Sequence, residues 1–301
     1  TLKNGKADFG GAIYFVNEIS NSNINATYIN NTAEWYGGAN WFFDSVSGSN
    51  VSGTYINNTA EWYGGANYFD REVSGSNISG TYINNTASNA VIYFEDYYNE
   101  GLDANITNAI FLNNNCTYEI SARTQGIVVK YSWFGNNASN FMNKPSINDE
   151  VQMDSWLFLN GTNDQNNIKF FLMGYDGTTV SEYDNTLMPK INLTIATTDG
   201  ILDKSTVDLD EPVKFSPTKS GINRVTAQIE DATQTIEFTN GDFDVLQTIV
   251  NNATSSVINL TRNYTYNEFD TITEGVRINR PITVNGNGFT IDAKGKSRIF
   301  Y

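Results

Sequence analysis

Two aromatic pairs are the residues best suited to bind a ligand in this sequence. Trp35 and Tyr36 recur 27 residues later as Trp62 and Tyr63. A row of exposed aromatic faces can stack on sugar rings, so these four are the candidate carbohydrate-binding residues. The alternative is that both pairs pack beneath a protruding loop.

Acidic residues suggest a second kind of chemistry. Glu34 and Glu61 share the 27-residue spacing, and with Asp44, Asp70 or Glu95 nearby they could hold Ca²⁺, which prefers oxygen ligands. No Asp-x-Asp-x-Asp-Gly loop is present, and an isolated pair of like charges is solvated and mildly repulsive. We therefore expect no cofactor and no resident metal, with calcium as the alternative.

Catalysis is the rival interpretation of the charged residues. The chain contains no histidine, which removes the commonest general base and transition-metal ligand. A glycosidase needs two carboxylates about 5–10 Å apart, and the repeated segments contain no carboxylate cluster beside a basic residue. We expect no catalytic residue and no enzyme, whereas a groove holding several Asp and Glu would favour a carbohydrate-degrading lyase or hydrolase.

These residues lie in an internal repeat. Residues 27–40 recur unchanged at 54–67, and residues 81–87 begin a third copy. A period of this length indicates a solenoid, propeller or array. Short β-prone runs separated by Asn-Asn, Gly-Gly and Ser-Gly pairs favour one coil of a parallel β-helix, because a propeller blade needs about 40 residues. Stacked coils predict an aliphatic column, an aromatic column and two amide ladders: Ile24, Val51, Ile78 and Ile106; Tyr28, Tyr55, Tyr82 and Phe111; Asn30, Asn57 and Asn84; and Asn31, Asn58 and Asn85.

The repeat also resembles a known family. Tyr-Ile-Asn-Asn-Thr-Ala at 28–33, followed by Gly-Gly-Ala at 37–39, resembles the polymorphic-outer-membrane-protein type of β-helix repeat, which pairs FxxN-like and GGAI-like motifs. Residues 10–13 match the second motif, and residues 111–114 approximate the first. The whole composition resembles the adhesin-like surface proteins of methanogenic archaea. The resemblance implies a right-handed parallel β-helix, an extracellular cell-surface location, and a role as an adhesin or structural stalk; a carbohydrate-binding or carbohydrate-degrading protein is the alternative.

The pattern divides the chain into three all-β regions. The repeats predict a parallel β-helix over 1–145. Seven short alternating strands predict an immunoglobulin-like β-sandwich over 146–243, similar to the spacer modules of bacterial surface adhesins. Over 244–301, a short helix followed by strand-like pieces predicts an N-terminal cap and the first coils of a second β-helix.

The expected partners follow from the coil edges and the charge. Unpaired coil edges favour association, so we expect copies of the chain stacked head-to-tail into a filament, neighbouring surface proteins, or glycans. The net charge of −15 disfavours nucleic acid and anionic lipid, and no apolar run reaches the ~18 residues of a membrane span. Because the sequence starts at Thr1 without Met or a signal peptide, we expect a fragment or a processed product.

The sequence contains many candidate sites for N-linked glycosylation. Fourteen Asn-x-Ser/Thr sequons are consistent with a surface glycoprotein, although an Asn- and Thr-rich composition also produces sequons by chance. The favoured acceptors are Asn25, Asn105, Asn160, Asn192 and Asn263.

The single cysteine, Cys116, excludes an intrachain disulfide. We expect its side chain to be a small buried hydrophobe, with pairing between molecules as the alternative.

Overall fold

The first region of the chain is a stack of parallel β-coils. The structure is a computed structural model that describes residues 1–301. The strands of this region are Leu2–Lys3 (β1), Lys6–Phe9 (β2), Ile13–Phe15 (β3), Ile19–Ser20 (β4), Asn23–Ile29 (β5), Thr32–Tyr36 (β6), Asn40–Phe42 (β7), Val46–Ser47 (β8), Asn50–Ile56 (β9), Thr59–Ala60 (β10), Asn67–Phe69 (β11), Val73–Ile83 (β12), Ala90–Phe94 (β13), Leu102–Leu112 (β14), Tyr118–Ala122 (β15), Ile127–Lys130 (β16), Ser132–Asn137 (β17), Val151–Met153 (β18) and Trp156–Asp164 (β19).

The coils stack in the register that the repeat predicts. Strand β5 pairs in parallel with β9, so that Ile24 lies opposite Val51 and Tyr28 opposite Tyr55. Two further parallel ladders have the orders β10-β6-β2 and β15-β13-β11-β7-β3. Each coil therefore contributes strands to several parallel sheets, and the predicted parallel β-helix is confirmed.

Aromatic columns fill the interior of the coils. The rings of Tyr28, Tyr55, Tyr82 and Phe111 stack with successive centroid distances of 4.7, 4.7 and 4.8 Å. These distances match the spacing of about 4.8 Å between neighbouring strands, because each coil supplies one ring at the same position. The predicted aliphatic column at Ile24, Val51, Ile78 and Ile106 is in register as well. A second inner column, which the repeat analysis did not name, contains Phe15, Phe42, Phe69 and Phe94.

An asparagine ladder holds one corner of four successive coils. Asn31 Nδ2 donates to Asn58 Oδ1 at 2.9 Å, and Asn58 Nδ2 donates to Asn85 Oδ1 at 3.0 Å. Asn85 Nδ2 donates in turn to Asn114 Oδ1 at 3.1 Å. The side chains of Asn31, Asn58 and Asn85 are fully buried, so this predicted ladder is confirmed.

The preceding asparagines have a different role. Asn30, Asn57 and Asn84 have φ of 55°, 55° and 56°, a left-handed conformation that Asn tolerates better than most residues. They reverse the chain at the corner, and the side chains of Asn30 and Asn57 point to solvent. Asn113 Nδ2 donates to Asn84 Oδ1 at 2.5 Å, but no side-chain hydrogen bond joins Asn30 to Asn57 or Asn57 to Asn84, so the second predicted amide ladder does not form at these three positions.

Coil stacking continues beyond the boundary predicted from the repeats. Strand β18 pairs in parallel with β16, and β19 pairs in parallel with β17. The predicted end at residue 145 therefore falls inside the stack. The repeat letters fade there before the coil geometry does, because parallel pairing needs β-prone backbone rather than identical side chains.

The middle of the chain is antiparallel. Its strands are Asn167–Tyr175 (β20), Val180–Glu182 (β21), Asn192–Ala196 (β22), Gly200–Leu202 (β23), Thr206–Asp208 (β24), Val213–Pro217 (β25), Gly221–Ile229 (β26) and Ala232–Asn240 (β27), with a 3₁₀ turn at Asn185–Leu187. Antiparallel pairs join β20 to β21 and β25, β22 to β24 and β26, and β23 to β25. The predicted change from repeats to short alternating strands is confirmed, and the immunoglobulin-like assignment stays a prediction.

The C-terminal region begins with the predicted helix. Helix α1 spans Asp242–Asn252, and the strands Val257–Asn259 (β28), Tyr264–Thr265 (β29), Thr283–Asn285 (β30) and Ile291–Asp292 (β31) follow. Asp270 Oδ1 accepts the N–H groups of Phe243 at 2.7 Å and Asp244 at 3.1 Å, which satisfies donors that a helix start leaves free. Strand β28 pairs in parallel with β30, and β29 pairs in parallel with β31, as expected for the capped start of a second β-helix.

Candidate functional site

The outer face of the first coils carries a groove of about 530 Å³. Its lining is mostly aromatic and includes Tyr36, Trp62 and Tyr63, three of the four residues that the sequence predicted for carbohydrate contact. We call this the aromatic groove. Charged side chains lie in the same lining.

The floor of the aromatic groove comes from one position in successive strands. Tyr14, Trp41, Tyr68 and Tyr93 directly precede the core phenylalanines of β3, β7, β11 and β13 and lie in register. Trp41 and Tyr68 line the groove, and Tyr14 and Tyr93 continue the same row beyond its lining. Side chains alternate across a strand, so these rings face outward while the phenylalanines that follow them face the core. The ring of Tyr14 stacks on Trp41 at 4.5 Å, and that of Tyr68 lies 5.6 Å from Tyr93.

Two tyrosines from the preceding corner extend this floor. The ring of Tyr36 stacks on Tyr68 at 4.7 Å with 12° between the planes, and that of Tyr63 lies 4.5 Å from Tyr93. Gly37 follows Tyr36 with a φ of +67°, a conformation that glycine adopts without steric cost. The Gly-Gly turn therefore brings the end of one strand over the next and places its tyrosine on the floor.

The tryptophans do not form the flat strip that their spacing predicts. The rings of Trp35 and Trp62 lie 5.7 Å apart with 42° between their planes, and both are exposed. Trp62 lines the aromatic groove, whereas Trp35 lies outside its lining. The repeat analysis missed the floor residues Trp41 and Tyr68. Their signal in the sequence is the aromatic residue that precedes the phenylalanine of each coil's short strand.

Beside the aromatic floor, the groove is lined by charged side chains. Asp70 and Glu95 come directly after the paired residues Phe69 and Phe94, so they occupy neighbouring coils. Glu95 forms an ion pair with Arg123 of the next coil.

The second ion pair beside the floor also contacts aromatic rings. Arg71 pairs with Asp44 at 3.5 Å. The guanidinium of Arg71 also lies 4.8 Å from the ring centroid of Tyr98 and 5.4 Å from that of Phe43, within the range of a cation–π contact.

Asp70 differs electrostatically from an ordinary surface carboxylate. Burial, reinforced by the negative charge of Glu95, raises the pKa of Asp70 to about 6, although Arg71 and a hydrogen bond from Tyr68 oppose the change. Burial also raises the pKa of the Tyr68 phenol, which therefore stays a neutral hydrogen-bond donor. The Tyr68 hydroxyl donates to Glu95 Oε2 at 3.5 Å.

Two buried donors in the lining have no acceptor within the protein. They are Trp41 Nε1 and Arg71 Nε. A buried N–H without an acceptor costs roughly 1–3 kcal/mol.

The acidic residues considered for calcium are not gathered into one site. Glu34 and Glu61 are exposed, while Asp44 and Glu95 are paired with arginines. No group of three or more Asp, Glu, Cys or His is arranged to hold a metal ion.

The favoured sequons differ in accessibility. Asn25, Asn192 and Asn263 are exposed, whereas Asn105 and Asn160 are half-buried. Cys116 is half-buried and packs against the apolar core, which agrees with the expectation of a small hydrophobe.

No family model, curated protein or solved structure matches this chain. None of its helices is long and apolar enough to cross a membrane. The fold and the aromatic groove therefore carry the functional argument.

Proposed function

We propose that this chain is an adhesin-like protein of the cell surface that binds glycans through the aromatic groove. One observation carries the proposal. Rings from successive coils stack on one another in a row, Tyr14 on Trp41 and Tyr36 on Tyr68, and the exposed ring of Trp62 lines the same groove.

The size and chemistry of the groove support a glycan. Ligand sites usually measure about 300–1,000 Å³, and the aromatic groove, at about 530 Å³, falls in this range. The faces of sugar rings carry C–H groups that pack on exposed aromatic rings such as that of Trp62, while sugar hydroxyls can hydrogen-bond with charged groups of the lining such as Asp70.

The rest of the fold supports a surface role. Stacked coils with a buried asparagine ladder make a stiff repeat scaffold, and exposed sequons such as Asn25, Asn192 and Asn263 suit a glycoprotein. The resemblance of the whole composition to the adhesin-like surface proteins of methanogenic archaea points the same way. Head-to-tail assembly of copies into a filament stays a prediction.

The proposal is tested with labelled oligosaccharides of cellulose, xylan, mannan and chitin, whose binding is measured by fluorescence anisotropy. We expect at least one of these glycans to bind. Trp62→Ala should weaken its binding about five- to tenfold, because an aromatic contact contributes on the order of 1 kcal/mol.

Phe269→Ala is the matched control, since Phe269 is an exposed aromatic residue outside the aromatic groove. It should bind like the wild type. Absence of binding to the whole panel, or equal binding by the Trp62 variant, would reject the glycan site.

A further inference from the structure

We propose that the aromatic groove selects glycans that carry positively charged amino groups, as in chains of glucosamine. This inference rests on the proposed glycan binding and names the class of sugar that the site takes. Two features of the lining carry it, namely its charge balance and its exposed rings.

The lining has more negative than positive charge. It contains the carboxylates of Asp70 and Glu95 and a single basic residue, Arg71. Arg71 pairs at 3.5 Å with Asp44, which lies outside the lining, and Glu95 pairs with Arg123. Asp70 forms no ion pair. It is therefore the carboxylate of the groove that a bound cation would neutralise.

The position of Asp70 suits the binding of a cation. Asp70 lines the groove and is neither fully buried nor fully exposed. Partial shielding from water strengthens the attraction between opposite charges, because the effective dielectric constant is lower than in bulk water. Burial raises the pKa of Asp70 to about 6, so the carboxylate is still ionised at neutral pH.

The exposed rings of the lining are the second feature. Trp62, Tyr97 and Tyr98 are 45%, 60% and 56% exposed. Aromatic faces attract cations and also pack against sugar rings. The protein's own Arg71 shows the first property, since its guanidinium lies 4.8 Å from the ring centroid of Tyr98 and 5.4 Å from that of Phe43. Trp62 and Tyr97 contact no cation of the protein and are free to meet a ligand.

Together these features favour an amino sugar over the other classes of sugar. A neutral sugar would pack on Trp62 but leave Asp70 without a counter-ion. A uronic acid would bring a third carboxylate beside Asp70 and Glu95, and like charges placed together in a binding site repel each other. The net charge of −15 acts in the same direction across the whole chain.

The experiment compares two oligosaccharides of the same length and linkage that differ in charge. Labelled chitin hexamers are acetylated and neutral, whereas labelled chitosan hexamers carry free amines. Their binding to the full chain is measured by fluorescence anisotropy at about pH 6.5. We expect chitosan to bind at least about fivefold more tightly than chitin, as one ion pair supported by a ring contact would give. High salt should reduce this preference, because mobile ions screen the charges.

Three variants test whether the groove causes the preference. Asp70→Asn should weaken chitosan binding about fivefold and leave chitin binding within about twofold of the wild type, which also shows that the variant is folded. Trp62→Ala should weaken the binding of both, because the ring contact serves either sugar. Asp103→Asn is the matched control: it removes the same charge from an exposed position of β14 outside the lining, and it should bind both sugars like the wild type.

The outcomes separate this inference from glycan binding itself. Equal binding of chitin and chitosan by the wild type would overturn the preference for amines and leave the glycan site standing. Equal weakening of chitosan binding by Asp70→Asn and Asp103→Asn would also overturn it, because the net charge and not the groove would then attract the amines.

Two further outcomes concern the kind of ligand. Oligolysine that binds as tightly as chitosan, and that loses its binding in Trp62→Ala, would overturn the assignment to a sugar in favour of a basic peptide. Failure of every glycan to bind, chitosan included, would overturn both proposals.

Discussion

The asparagine ladder allows a quantitative test of how the coils are held together. Asn58 is fully buried, and its Nδ2 donates to Asn85 Oδ1 at 3.0 Å and to Tyr28 O at 3.1 Å. Its Oδ1 accepts the backbone N–H of Asn31 at 3.1 Å and Asn31 Nδ2 at 2.9 Å. The side chain of Asn58 therefore joins three successive coils.

Asn58→Ala removes all four of these bonds. The two donors of Asn31 lose the acceptor Oδ1, and each buried donor left unpaired costs roughly 1–3 kcal/mol. The two bonds that Asn58 Nδ2 donates are lost as well. We therefore expect the free energy of unfolding to fall by about 3–5 kcal/mol.

The matched control is the neighbouring residue. Asn57 is exposed and has a φ of 55°, so Asn57→Gly keeps the left-handed turn without removing a buried bond. We expect it to change the free energy of unfolding by less than about 0.5 kcal/mol.

Urea unfolding followed by tryptophan fluorescence measures both variants. Asn58→Ala should lower the midpoint without changing the slope m, since the surface exposed on unfolding is nearly the same. Equal midpoints for the two variants would refute the reasoning, because the ladder would then contribute no more than an exposed corner residue.

Two further predictions concern buried ionisable groups in the β-helix. Burial raises the pKa of the Cys116 thiol to about 12, so the native protein should react with a thiol reagent at pH 8 at least about 100-fold more slowly than the urea-unfolded chain; comparable rates would contradict this. Burial also raises the pKa of Glu119 to about 8, while Asn114 donates a hydrogen bond to it. The native protein then keeps a proton that the unfolded chain releases near pH 4.5, so this group makes stability fall as pH rises from about 4.5 to about 8. Glu119→Gln should reduce that fall, as measured by urea unfolding at pH 5 and pH 9, and an unchanged difference between the two pH values would contradict the assignment.

The sequence predicted the core columns because one coil corresponds to one repeat. Tyr28 and Tyr55 are identical letters 27 residues apart, and the fold stacks their rings. The same offset identified Tyr36, Trp62 and Tyr63 of the aromatic groove. The 27-residue offset could not predict the 42° angle between the ring planes of Trp35 and Trp62, since ring orientation depends on the corner geometry and on neighbouring side chains.

The middle and C-terminal regions were predicted less completely. Alternating polarity located strands such as β26, and the acidic start located helix α1. Spacing alone did not identify Asp270 as the residue that caps α1, because its carboxylate reaches Phe243 from 27 residues further along the chain. Such a contact depends on how the chain returns to the helix.

The amino-acid sequence by itself determined the parallel coils, their inner columns and the corner asparagines, because identical segments at a constant period can all bury the same face only by stacking. The tertiary structure alone decided which carboxylates meet. The third repeat is two residues shorter, so the fold pairs Phe69 with Phe94 and sets Glu95 beside Asp70, whereas a constant offset of 27 would place Tyr97 there. The parallel pairing continues past the shorter repeat, because hydrogen bonds between coils follow strand register and not distance along the chain.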